Sequence, residues 1–145
     1  MRESDQCFTP PHIFQKLSVR FNIDVAAPPG GVPWVPCRRF FTEEDDGLSR
    51  QWSGMVWMNP PYSNPGPWVH KFLQHGNGIC LVPHSKSNWF HSLWLSDAAI
   101  LNNAPSEKFV KHGKPHGIFM PTMFAAMGDR AKQALSRLGP LRTLT

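Results

Sequence analysis

Cysteine is scarce in this 145-residue chain, and its three copies, Cys7, Cys37 and Cys80, are an odd number without C-x-x-C spacing. That arrangement indicates neither a disulfide framework nor a zinc site. The seven histidines are scattered. His112 and His116 stand at i,i+4 spacing, but Gly113 and Pro115 between them oppose the helix that would bring their rings together. No metal site is therefore expected. No apolar stretch approaches a membrane span, and the start Met1-Arg2-Glu3-Ser4-Asp5 lacks the character of a signal peptide. The expectation is a soluble protein of the cytoplasm. No internal repeat is visible, and tyrosine occurs once, at Tyr62.

What the chain does have is an apolar content of 41%, with six Trp and ten Phe, which argues for a packed globule over a disordered chain. The length suits one domain over residues 1–145 with a single core. Charge is divided unevenly: residues 1–62 carry six Lys/Arg against seven Asp/Glu, and residues 63–145 carry nine against three, with six of the seven His. A lopsided basic surface is the expected footprint of a polyanion, most commonly nucleic acid.

Along the chain, helical and strand patterns alternate. Thr9 reads as an N-cap ahead of prolines in a first turn and a short helix to Leu17, with Ile13, Phe14 and Leu17 on its apolar face. Residues 21–26 alternate like a strand, and 28–36 are so rich in Pro and Gly that they must be loop. A short strand over 38–42 precedes the acidic turn Glu43-Glu44-Asp45-Asp46-Gly47. Further strands are expected at 55–58, 78–83, 98–102 and 118–127, and helices from Trp68, over 88–95 and over 129–138. The alternation predicts an α/β fold with a mostly parallel sheet.

The run Met55-Val56-Trp57-Met58 leads directly into Asn59-Pro60-Pro61-Tyr62. A tight loop at the carboxyl end of a buried strand is where open α/β sheets place ligands. The Asn59 side-chain oxygen and the Pro60 carbonyl can both accept hydrogen bonds from an amine. Pro61 stiffens the turn and adds no competing N–H. Tyr62 can stack on the ring that carries the amine. With both acceptors engaged, the nitrogen lone pair is turned away from its ring and toward an electrophile. Asn-Pro and Pro-Pro are also ordinary turn punctuation, so the context matters as much as the four residues.

Taken in order, Phe8-Thr9-Pro10, Asp24-Val25-Ala26-Ala27, Asp46-Gly47-Leu48 with Trp52, Trp57-Met58-Asn59-Pro60-Pro61-Tyr62-Ser63, and Leu81-Val82-Pro83 with Trp89-Phe90 resemble the phage DNA N6-adenine methyltransferase (Dam) family over residues 8–127. The resemblance implies a small Rossmann-like, S-adenosylmethionine-dependent enzyme that methylates adenine in DNA, a duplex whose target base is flipped out. Asn59, Pro60, Pro61 and Tyr62 are then the catalytic turn. Thr9, Pro10, Asp24, Ala26, Ala27, Asp45, Asp46, Leu48 and Asn59 are the candidate cofactor residues, with Asp24 toward the methionine end. Either Asp45 or Asp46 would accept from the ribose hydroxyls, the Asp-Gly-Leu match favouring Asp46. Both also fit a solvated acidic turn. Tyr62, Lys86 and Trp89 are the candidate substrate contacts, although Trp89 and Phe90 also suit a buried pair. Lys108, Lys111, Lys114 and His116 form a basic loop suited to phosphates.

The chain departs from the family pattern in lacking a G-x-G cofactor loop, in having no amphipathic helix after residues 24–31, and in missing an arginine after glycine around 103–109. An NPPY turn can equally hold an amine of RNA or a protein glutamine, and the departures also fit a non-catalytic DNA-binding protein. The phage resemblance suggests a role against host restriction.

Overall fold

The computed structural model describes residues 8–102, 108–111, 114–117 and 121–144. Helix α1 (Pro11–Leu17) leads into β1 (Phe21–Asp24), β2 (Cys37–Phe40) and β3 (Val56–Met58). Then follow α2 (Gly66–His75), β4 (Gly78–Pro83), α3 (Asn88–Trp94) and β5 (Ala99–Asn102). The chain closes with β6 (Lys108–Lys111), β7 (Lys114–Gly117), β8 (Thr122–Met127) and α4 (Asp129–Leu135).

Six strands form one sheet in the order β2-β1-β3-β4-β8-β5. The β2/β1, β1/β3 and β3/β4 pairs are parallel, while β8 runs antiparallel to both β4 and β5. The sheet is thus mixed, which corrects the expectation of a mostly parallel one in this half. β5 and β8 are antiparallel neighbours, and among the described residues between them only the β6/β7 pair is present.

Strand alternation distributes the core to two faces. Trp57, Ile79, Leu81, Phe124 and Ala126 pack with Ile13, Phe14 and Leu17 of α1 and with Ala131, Ala134 and Leu135 of α4. Val56, Met58, Cys80, Val82, Met123 and Ala125 pack with Val69 and Phe72 of α2 and Leu93 of α3. β4 is buried along its whole length, as its nearly continuous apolar run requires. Among the described residues no helix is long and apolar enough to cross a membrane.

Several boundaries differ from expectation for identifiable reasons. α1 begins at Pro11 with Pro10 in the cap position and no side-chain cap, so Thr9 is not its N-cap. α2 starts at Gly66 instead of Trp68, because Pro67 in the first turn lacks only an N–H that the helix would not use. α4 stops at Leu135, and 136–138 tighten into i→i+3 bonds from Arg137 to Ala134 and from Leu138 to Leu135. The basic segment is not a loop: β6 and β7 pair antiparallel, with Lys111 opposite Lys114, Phe109 opposite His116 and Lys108 opposite Gly117. Only two residues separate these strands, the commonest hairpin spacing. Residues 103–107, where the family pattern has an arginine after glycine, and Cys7 lie outside the described residues.

Candidate active site

The chain runs outward from β1 to β2 and then returns to β3 on the other side of β1. This reversal creates a topological switch point at the carboxyl ends of β1 and β3, where the sheet cannot close over its own edge loops. The loops after β1, β2 and β3 meet there. They line a cavity of about 390 Å³ bounded by Ala26, Ala27, Thr42, Glu43, Asp46, Gly47, Asn59, Pro61, Ser63 and Trp68. Its size falls in the range of small-molecule sites. A narrow cleft beside it shares Ala26 and Asn59 and is also lined by Thr9, Asp24, Val32, Val35 and Trp57. Beyond the NPPY turn lies a third space, a groove of about 430 Å³ lined by Tyr62, Ser63, Gly66, Pro83, His84, Ser85, Ser87 and Trp89, with Asn64 and Pro65. Asn59, Pro61 and Ser63 therefore face the first cavity while Tyr62 and Ser63 face the groove, so one turn forms the wall between them.

Asp24 ends β1 and is 3% exposed. Its Oδ1 accepts from the Ala26 N–H at 3.3 Å. Burial pushes its pKa up to about 7, partly offset by the Ala26 bond, and no cation among the described residues contributes. The Cys37 thiol beside it is held above its usual range by burial, then by the Asp24 charge. Thr9 is equally buried and its Oγ1 has no partner. The Thr9 carbonyl accepts from Trp34 Nε1 at 2.7 Å, which ties the N-terminal segment to the Pro-rich 28–36 loop. No helix forms in that loop, and its turns bring Val32 and Val35 over the cleft.

The acidic turn after β2 separates its two aspartates. Asp45 Oδ2 accepts from the Thr42 N–H at 2.9 Å and from Thr42 Oγ1 at 3.2 Å, and these bonds hold its carboxyl below the usual range. Asp46 lines the cavity instead. It sits at φ 55°, a left-handed conformation that aspartate tolerates better than most residues. Gly47 follows in close approach: a Cβ there would lie 2.2 Å from the Val25 carbonyl and 3.1 Å from Trp68. Gly47→Ala is expected to cost about 1–3 kcal/mol by overpacking this contact, read as a lower denaturation midpoint. A wild-type midpoint would show that the turn has room to move.

The remaining sequence candidates fall in different places. Pro60 is buried, and Tyr62 is half-buried against the core on the α1 side. Pro10 and Leu48 are half-buried and do not line the cavity. Lys86 is exposed between two groove residues, while Trp89 is half-buried, lines the groove and packs on Gly66. Lys108, Lys111 and Lys114 belong to the β6/β7 hairpin. Thr42, Glu43, Ser63, Trp68, His84 and Ser85 were not anticipated. Only Ser63 and Trp68, close after the NPPY turn, carried a positional hint. No cluster of three metal-ligating side chains occurs among the described residues.

Comparison with known proteins follows the same line. Residues 1–101 match the family described as DNA N-6-adenine-methyltransferase (Dam). A DNA N-6-adenine-methyltransferase of Haemophilus phage HP1 (strain HP1c1) is 25% identical over 70% of this chain and 66% of its own length. One from Escherichia phage T1 is 39% identical over 45% of this chain and 30% of its own length. The chain thus spans just under two thirds of the first relative and under one third of the second. Because the family match covers more than half of the sequence, and does so across the loops that build the cavity, the chain belongs to the DNA N-6-adenine-methyltransferase (Dam) family.

Proposed function

We propose that this chain is a Rossmann-like methyltransferase that moves a methyl group from S-adenosylmethionine to the exocyclic N6 amine of adenine in DNA. The observation that carries the reading is the position of the NPPY turn between two spaces, one lined by Asn59 and the other by Tyr62. Such a wall is what a two-substrate transfer needs, since each substrate can enter from its own side and meet at the turn.

The residues present fit the cofactor. A buried carboxylate without a cation, Asp24, and an orphaned buried hydroxyl, Thr9 Oγ1, lie along one cleft. Both are costly in an empty protein and suited to a ligand with an ammonium group and further polar atoms. The adjoining cavity offers Asp46 for vicinal hydroxyls and Trp68 for a flat ring. When bound, S-adenosylmethionine supplies an electrophilic methyl group.

At the turn itself, where the two spaces meet, the Asn59 side-chain oxygen and the Pro60 carbonyl accept the two amine hydrogens and hold the lone pair out of conjugation. Tyr62 stacks on the base from the groove. Positioning and electrostatics supply the rate enhancement, with no nucleophile to activate. In duplex DNA the adenine is first flipped from the stack, at a cost of a few kcal/mol. The basic second half of the chain, including the hairpin lysines, provides phosphate attraction and belongs with a protein acting where DNA and cofactor meet, in the cytoplasm.

Expression in a methylation-deficient bacterial host, followed by mass spectrometry of nucleosides from its DNA, is expected to yield N6-methyladenine. Its absence from DNA in cells that hold folded, cofactor-bound protein would overturn the assignment of the acceptor.

A further inference from the structure

We propose that Lys71 is a positioning residue for the cofactor, holding the 46–52 loop in the conformation that presents Asp46 to the main cavity. The inference rests on the reading of that cavity as the cofactor site. Lys71 lies on α2, nine residues beyond Tyr62, and does not line the cavity. Its Nζ donates to the Leu48 carbonyl at 2.7 Å and to the Arg50 carbonyl. It also stands 5.1 Å from the centre of the Trp52 ring. One ammonium thus satisfies two loop carbonyls and an aromatic face, three contacts that fix a short irregular segment in one shape.

The contacts continue to the cavity wall. Trp52 Nε1 donates to the Gly47 carbonyl at 2.9 Å, and the Trp52 ring stacks on Trp68 at 6.5 Å and 23°. Gly47 is pressed against Val25 and Trp68, and Asp46 precedes it in the left-handed region. A non-glycine residue persists there only when its surroundings over-determine the backbone. Ser49 closes the turn by donating from its N–H and Oγ to the Asp46 carbonyl, both at 2.9 Å. One helical turn beyond Lys71, His75 reaches the Gly54 carbonyl at 2.7 Å and meets the edge of Trp52. The two side chains stand at i,i+4 spacing on one face of α2 and grip successive parts of the β2–β3 connection. The Asp46 charge favours the protonated ammonium, against the partial burial that lowers the Lys71 pKa. The carboxylate and its support are therefore electrostatically matched.

Two variants separate positioning from general stability. Lys71→Met keeps an aliphatic stem beside Trp52 and removes every donor; Lys71→Arg restores donors and charge. Calorimetry with S-adenosylmethionine is expected to show about tenfold weaker binding by Lys71→Met, the scale of one lost charge-assisted hydrogen bond. Lys71→Arg should recover most of the affinity. Turnover of DNA at saturating cofactor should stay within about threefold of wild type, because Asn59 and Tyr62 are undisturbed. Hydrogen exchange of the 46–52 amides should accelerate in Lys71→Met and slow again in Lys71→Arg. Wild-type affinity and exchange in Lys71→Met would overturn the role of Lys71 alone. Equal loss of affinity and turnover, unrecovered by arginine, would also overturn it in favour of a general structural role. Failure of the wild-type protein to bind the cofactor would remove the reading of the cavity itself.

Discussion

Asn59→Ala is expected to lower methyl transfer by about a thousandfold or more while leaving S-adenosylmethionine affinity within about threefold of wild type. The asymmetry follows from where Asn59 sits. It is one of many residues bounding the main cavity and the cleft, so truncating it removes little ligand contact. At the reacting amine, however, it supplies one of only two proposed acceptors. Without the Asn59 oxygen the amine hydrogens are held by the Pro60 carbonyl alone, and the lone pair relaxes back into the ring. An interaction that strengthens as the nitrogen becomes tetrahedral appears in turnover and not in ground-state binding. Asn59→Asp retains an acceptor in nearly the same volume and should keep more activity than alanine. A tritiated-methyl assay gives the rates and calorimetry the affinity. Equal turnover by Asn59→Ala would remove the proposed catalytic role, and a parallel loss of cofactor binding would reassign the residue to the cofactor.

The parts of this fold that were legible in sequence are those where local chemistry and tertiary context agree. Gly78 to Pro83 is buried on both faces, so its apolar run is also its structural signature. The turn after β3 announced itself through Asn59-Pro60-Pro61 because proline constrains the backbone whatever surrounds it. The reversed direction of β8 was not legible. Strand direction is set by the route of the connection, and 103–121 carried no helical pattern from which a return crossover could be excluded. The hairpin lysines were read as a loop because Gly113 and Pro115 dominated the local signal, although Pro is tolerated in a strand at an edge. Thr9 looked like a cap, yet Pro10 takes that position and leaves the hydroxyl beside the cleft. The two aspartates of the acidic turn are adjacent and alike in the sequence. What distinguishes them is a tertiary fact, since Asp45 turns back to Thr42 while Asp46 faces the cavity. The same limit applies to Lys71, whose partners are loop carbonyls more than 20 residues away.

Cofactor affinity of the wild-type protein is expected to rise between pH 6 and about pH 7 and then level off, with the rise absent in Asp24→Asn. In the free protein the Asp24 pKa is pushed up to about 7 by burial, so below that pH the carboxyl is largely neutral. A ligand ammonium beside it favours the charged form, and binding below pH 7 therefore releases a proton. Each unit below the free-protein pKa then weakens binding by up to about tenfold, and above it the dependence disappears. Cys37, the neighbouring titratable group, is shifted upward and stays neutral across this window. The folding equilibrium moves in the opposite sense. With the folded pKa above the unfolded one, the folded state binds more protons between about pH 4 and pH 7, so stability of the free protein falls as pH rises through that interval. The loss is at most roughly 4 kcal/mol by pH 8, from the 1.36 kcal/mol that each unit of pKa difference represents. Asp24→Asn removes this penalty and is expected to unfold at higher denaturant concentration than wild type at pH 8, while binding S-adenosylmethionine at least about tenfold more weakly. Paired denaturation and calorimetry at pH 6 and pH 8 measure both effects. A pH-independent wild-type affinity, or an asparagine variant that binds as tightly at pH 8, would exclude Asp24 as the partner of a cofactor cation. A more stable variant that binds poorly would identify the buried carboxylate as a group maintained at the expense of stability for its ligand.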